Sequence, residues 1–169
     1  IEQTEVLSRF GVTNDALFPA KPAFGELKHI IATNQFSEVR EEIYKNGKKY
    51  IIEATGGIGK TVFCQFFVHN LDIGDEAIVF DCFGGGDYRK RSSHRHSHVA
   101  AMVQIVNELA IKGFCDLFIP QKGDSERAIM FTFIERIKQA VNFLRRANSN
   151  AILFLFIDAA DNAEMAAQE

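Results

Sequence analysis

The chain has 169 residues, 47% hydrophobic and 24% charged, which is enough for one globular domain with a real core. A net charge of -3 and a pI near 6.0 exclude a general polyanion binder and leave only a local basic patch. Cys64, Cys82 and Cys115 are odd in number and widely spaced beside apolar residues. They make no disulfide framework or metal-ligand pair and read as reduced thiols of a cytoplasmic protein. No apolar run approaches the roughly 18 residues of a membrane span.

Residues 1–25 open with a candidate short helix, Glu2 to Phe10. An irregular stretch from Gly11 to Gly25 follows, carrying Pro19 and Pro22, and reads as a linker from an upstream module. Over 26–46, Leu27, Ile30, Ile31 and Phe36, Val39, Ile43 recur at helical spacing, with a break near Thr33-Asn34 and a stop at Asn46-Gly47.

The apolar run at 49–54 predicts a strand. It leads into Ala54-Thr55-Gly56-Gly57-Ile58-Gly59-Lys60-Thr61 and then an uninterrupted apolar helix from Lys60 to about Asn70. Strand, glycine loop, Gly-Lys-Thr and helix form a phosphate loop. Glycines let backbone N–H groups turn onto phosphate oxygens, and the helix adds its positive end. Lys60 offers a charge to the β- and γ-phosphates, and Thr61 a hydroxyl to Mg²⁺. Ala54 stands where glycine is preferred. Ala54, Thr55, Gly56, Gly57, Ile58, Gly59, Lys60, Thr61 and Val62 are therefore the candidate nucleotide-binding residues.

A turn at 72–76 precedes a second strand, 77–82, whose continuous apolar run suits a parallel strand covered on both faces. The loop 83–97 begins Gly84-Gly85-Gly86 and becomes basic and histidine-rich through Arg89, Lys90, Arg91, His94, Arg95, His96 and His98. Two readings stand beside each other: a mobile loop over 87–98 contacting phosphate, a protein or a nucleic acid, and a plain solvated loop. The histidine spacing also allows a weak metal reading. Helices follow at 98–112, with Met102, Ile105, Val106 and Leu109 as its core stripe, and at 126–147, with Ser125 as N-cap and Met130, Ile134, Ile137, Val141 and Leu144 on its inner face. A third strand, 151–157, then carries Asp158 to its carboxyl end.

Asp81-Cys82-Phe83-Gly84 fits the D-x-x-G of GTPases, but one helix and a turn between Lys60 and Asp81 leave no switch loop, and no guanine-reading sequence occurs. A small-molecule kinase, with Asp81 positioning an acceptor hydroxyl, remains as an alternative. At Ala54 to Thr61, Asp81-Cys82-Phe83 and Ile157-Asp158-Ala159-Ala160-Asp161, the chain resembles the STAND ATPases, the NACHT and NB-ARC class that includes bacterial anti-phage sensors. The resemblance covers about residues 26–165. In that family's second motif, the Walker B arrangement, Asp158 and Asp161 match the two aspartates. Ala159 replaces the usual glycine and Asn162 the usual glutamate.

The resemblance implies an α/β fold: a P-loop NTPase three-layer sandwich with a mostly parallel sheet ordered 5-1-4-3-2. The strands at 49–54, 77–82 and 151–157 would be its strands 1, 2 and 3. Because the sequence stops in the helix-prone run 161–169, 26–169 reads as the N-terminal part of such an ATPase domain, an incomplete fragment truncated after Walker B. It further implies ATP or ADP with Mg²⁺ as cofactors. Lys60, Asp158 and Asp161 would act in catalysis, Thr61 and Asp158 as Mg²⁺ ligands, and Asp161 on the attacking water. With no glutamate directly after Asp158, slow hydrolysis as a conformational and oligomerisation switch in a larger signalling or defence protein is expected. Self-association would occur through that full-length protein. A non-hydrolysing nucleotide-bound interaction module is the other alternative.

Overall fold

Helix ends in this chain are written in its caps. The computed structural model describes residues 11–23, 33–47, 49–90 and 92–162, together with Glu5 and Arg9. Glu5 and Arg9 are both helical and pair at 3.0 Å across one turn; the rest of the helix expected over 2–10 lies outside the described residues. Contacts divide the chain into two compact units, Gly25–Ile73 and the combination of Ile1–Phe24 with Gly74–Glu169.

Helix α1 (Asn14–Leu17) is capped by Thr13, and α2 (Asn34–Asn46) by Thr33, whose hydroxyl accepts from Phe36 N. Thr33 thus gives the expected break its cause: it starts a helix. The residues before it, 24–32, lie outside the described residues. Gly47, in the left-handed region at φ 53°, closes α2 by donating to Ile43 O. Helix α3 (Lys60–His69) follows the glycine loop. In this unit α2 and α3 meet through aromatic rings: Phe36 sits 5.3 Å from Phe63, and Tyr44 stacks on Phe67 at 5.7 Å.

The strand expected over 49–54 is absent: 49–55 has no regular structure, and Ile51 is 82% exposed. Apolar composition alone does not make a strand. Its backbone groups need a neighbouring ladder, and the sheet among the described residues consists of two other strands.

Those strands are β1 (Glu76–Asp81) and β2 (Leu153–Asp158), paired in parallel from Glu76↔Leu153 to Asp81↔Asp158. Joining them are a short 3₁₀ segment (Gly84–Arg89), helix α4 (His98–Ile111) and helix α5 (Glu126–Ala147), an α/β arrangement. Ser97 caps α4 and Ser125 caps α5 through their hydroxyls. Ile105 and Leu109 of α4 and Ala140 of α5 cluster on Ile78, Phe80 and Cys82 at one face of β1. β2 is less covered than its apolar run predicts. Leu153 joins that cluster, but Leu155 and Ile157 remain 39% and 52% exposed.

The inner face of α5 also differs from the expected one. The packed residues are Ile129, Phe133, Ile137, Ala140 and Leu144, whereas Met130 and Ile134 are exposed. Both stripes have helical spacing. Small Ala140, fully buried, decides the face because it lets α5 approach the sheet cluster.

Residues 11–23 are mostly irregular, as expected, yet they are packed: Leu17 and Phe18 form an apolar cluster with Val12, Leu117 and Ile119. Two buried amides on α4 tie them down. Gln104 Oε1 accepts from Ala20 N, and Asn107 Nδ2 donates to Leu17 O and Phe118 O while its Oδ1 accepts from Phe118 N at 2.8 Å. No described helix is long and apolar enough to cross a membrane. Asn107→Ala would strand three buried backbone groups, so it should lower the unfolding free energy by roughly 2–4 kcal/mol in urea denaturation.

Candidate functional site

The glycine loop closes around its lysine. Gly57 (φ 79°) and Gly59 (φ 96°) take left-handed conformations that turn the backbone towards α3. Lys60, the first residue of α3, folds back: its Nζ donates to Ala54 O at 2.6 Å and to Thr55 O at 3.3 Å. Gly59 caps α3 without a side-chain hydrogen bond, at the positive end of the helix. A Cβ at Gly56 or Gly57 would meet nothing within 4 Å, so the loop face is open. Thr61 and Val62 are half-buried in the first turn, with Phe63, Cys64 and Phe67 buried behind them. From Ala54 to Val62 the donors are amides, two threonine hydroxyls and an ammonium, with no carboxylate. That set has the chemistry to meet an anion such as phosphate.

The other unit holds Asp158 and Asp161. Asp158 ends β2, is 5% exposed, and faces Asp81 in register at the carboxyl edge of the sheet. Cys82 N donates to Asp158 O at 3.1 Å. Asp161 is exposed on the helical turn that follows. Between them Ala159 takes φ 56°, the left-handed region that costs a residue with a Cβ. The glycine loop and the two aspartates belong to different compact units.

Asp81, 2% exposed, is fully engaged. Its Oδ1 accepts from Phe83 N and Gly84 N, both at 2.9 Å, and its Oδ2 accepts from Ala23 N at 3.0 Å. Arg95 Nη1 lies 3.6 Å from the same Oδ2. The D-x-x-G pattern thus builds a closed turn within the fold. Cys82, beside both aspartates, has its thiol pushed up to about 11, first by burial and then by the charges of Asp81 and Asp158. It is an inert thiol, in line with the core role expected from sequence.

The basic loop is neither free nor simply solvated. Arg95 is 7% exposed; its guanidinium donates to Asp81 O and Lys21 O. Gly84 makes room for it, since a Cβ there would lie 1.9 Å from Arg95 Nε. Lys90 pairs with Asp87 at 2.6 Å, and this hydrogen bond and charge hold the exposed Asp87 carboxyl below its usual range. Arg89 lies over the Tyr88 ring, and His98 Nε2 is 2.9 Å from Glu126 Oε1. Arg91 lies outside the described residues. Among the described residues no group of three or more His, Cys, Asp or Glu side chains is arranged to hold a metal, which gives the spaced histidines no such site. Sequence reasoning missed the burial of Arg95; its one available signal was the triple glycine that begins three residues after Asp81.

Against models of protein families the chain matches none, and no curated protein matches it.

Two outcomes test this geometry. Ala159→Gly should raise stability by about 0.5–1 kcal/mol, the relief of left-handed strain less the added chain entropy, read from thermal melts. Iodoacetamide under mildly alkaline conditions should leave Cys82 unmodified in the folded chain and alkylate it in urea, read by peptide mass spectrometry.

Proposed function

We propose that the chain is the nucleotide-binding part of an ATP-dependent switch of the STAND class, built as a P-loop sandwich and acting in the cytoplasm. The observation that carries this reading is the loop from Ala54 to Thr61. It is closed round Lys60, opens on an uncapped helix end and holds no carboxylate. The loop amides and Lys60 bind the nucleotide phosphates. Thr61 and Asp158 are the residues that would hold Mg²⁺, which when bound draws negative charge from the phosphates. Asp161 orients water. In a switch of this kind nucleotide state sets conformation and self-association. Parallel pairing of β1 with β2 agrees with the neighbouring places of strands 2 and 3 in the 5-1-4-3-2 order. Ala159 directly after Asp158 leaves that position without a general base, which favours slow turnover over fast.

The phosphotransferase alternative loses its candidate for positioning an acceptor hydroxyl, since Asp81 spends both oxygens inside the fold. The interaction-module alternative loses much of its basic surface, because Arg95 is buried and Lys90 is paired.

With the full chain, Lys60→Ala should abolish binding of a fluorescent ATP analogue. Asp158→Ala should keep binding but stop release of inorganic phosphate. Unchanged affinity in the Lys60 variant would sink the assignment, and a phosphorylated small-molecule product would replace it with a kinase.

A further inference from the structure

Arg95 is an arginine withdrawn from water at the carboxyl edge of the sheet, and its contacts fasten the end of β1 and the segment at Lys21. Nη1 donates to Asp81 O at 2.8 Å and lies 3.6 Å from Asp81 Oδ2; Nη2 donates to Lys21 O at 2.6 Å. The fit is specific to this pair of positions, since any side chain at Gly84 would collide with the guanidinium. Asp81 is held from its other side by the amides of Phe83, Gly84 and Ala23. The next amide along the chain, Cys82 N, donates to Asp158 O, and Asp81 and Asp158 are register partners. A chain of hydrogen bonds therefore runs from the guanidinium through the last residues of β1 to the backbone of Asp158.

We propose that Arg95 is a positioning residue for Asp158: by clamping the carboxyl end of β1 it fixes the carboxylate that meets Mg²⁺. This rests on the ATP reading above. Lysine cannot replace the arginine here. An ammonium is a point charge, whereas the planar guanidinium reaches two carbonyls and a carboxylate at once. Groups that orient a metal ligand without touching the metal commonly change metal affinity about 10–100-fold when altered. Arg95 also neutralises Asp81 within the fold, so the neighbouring carboxylate does not compete for the cation.

The test uses the full chain and a ribose-labelled fluorescent ATP analogue, titrated with Mg²⁺ from a metal-free start, with thermal melts of the ligand-free protein in parallel. Arg95→Lys should bind the analogue without metal as the wild type does, and should need about tenfold more Mg²⁺ for half-maximal tightening. Asn107→Ala, which loses the contacts to Leu17 and Phe118 and none of those made by Arg95, should melt earlier with its Mg²⁺ midpoint unmoved. A wild-type midpoint in Arg95→Lys would overturn the inference, as would an equal shift in Asn107→Ala, because the effect would then follow stability alone. If Arg95→Lys does not fold, the double variant Asp81→Asn with Arg95→Met, which removes both buried charges together, takes its place. The same tenfold rise supports the inference, and an unmoved midpoint overturns it. Failure of the wild-type chain to bind the analogue would overturn the ATP reading itself and this inference with it.

Discussion

A guanidinium taken out of water must be met by acceptors on several sides, and the meeting of Arg95 with Asp81 organises one whole edge of the sheet. Such a pair is no stronger than well-packed apolar residues would be, because desolvation consumes most of its attraction. Its value is directional. It fixes where β1 stops, orients the turn through Phe83 and Gly84, and anchors the segment at Lys21 and Ala23. The two aspartates that close β1 and β2 then lie side by side with different tasks. One is consumed in holding the edge, and the other belongs to the proposed metal site.

The glycine loop in the other unit solves a different problem. Backbone donors aimed at an anion need a turn without side chains, and a turn without side chains is entropically expensive to hold. Lys60 and the aromatic packing of α2 on α3 supply the restraint. The ammonium draws in the carbonyls of Ala54 and Thr55, while Phe36, Phe63 and Phe67 brace the helix that begins at Lys60.

What could be read from sequence follows the range of the interaction. The stop at Gly47, the cap at Ser125, the spans of α4 and α5 and the positions of β1 and β2 are local signals, and the structure places them where sequence does. The glycine loop is equally local, since its chemistry lies in consecutive residues. The failures are long-range. A strand over 49–54 needs a neighbour that local composition does not supply. The face of α5 turns on whether Met130 or Ile129 finds a partner elsewhere. Arg95, Gln104 and Asn107 look like surface residues because their buried partners lie far along the chain. The positive φ of Ala159 has no local signal in the sequence.

Those distant partners impose an order of events during synthesis. Asn107 reaches back 90 residues to Leu17, Gln104 reaches back 84 to Ala20, and Arg95 reaches back 74 to Lys21. The segment carrying Leu17 and Phe18 therefore leaves the ribosome long before the helix that covers it exists. At about 5–20 residues per second, that apolar segment stays uncovered for several seconds in every round of translation. The same buried contacts that fasten residues 11–23 in the finished protein can form only after the chain has been made through Asn107.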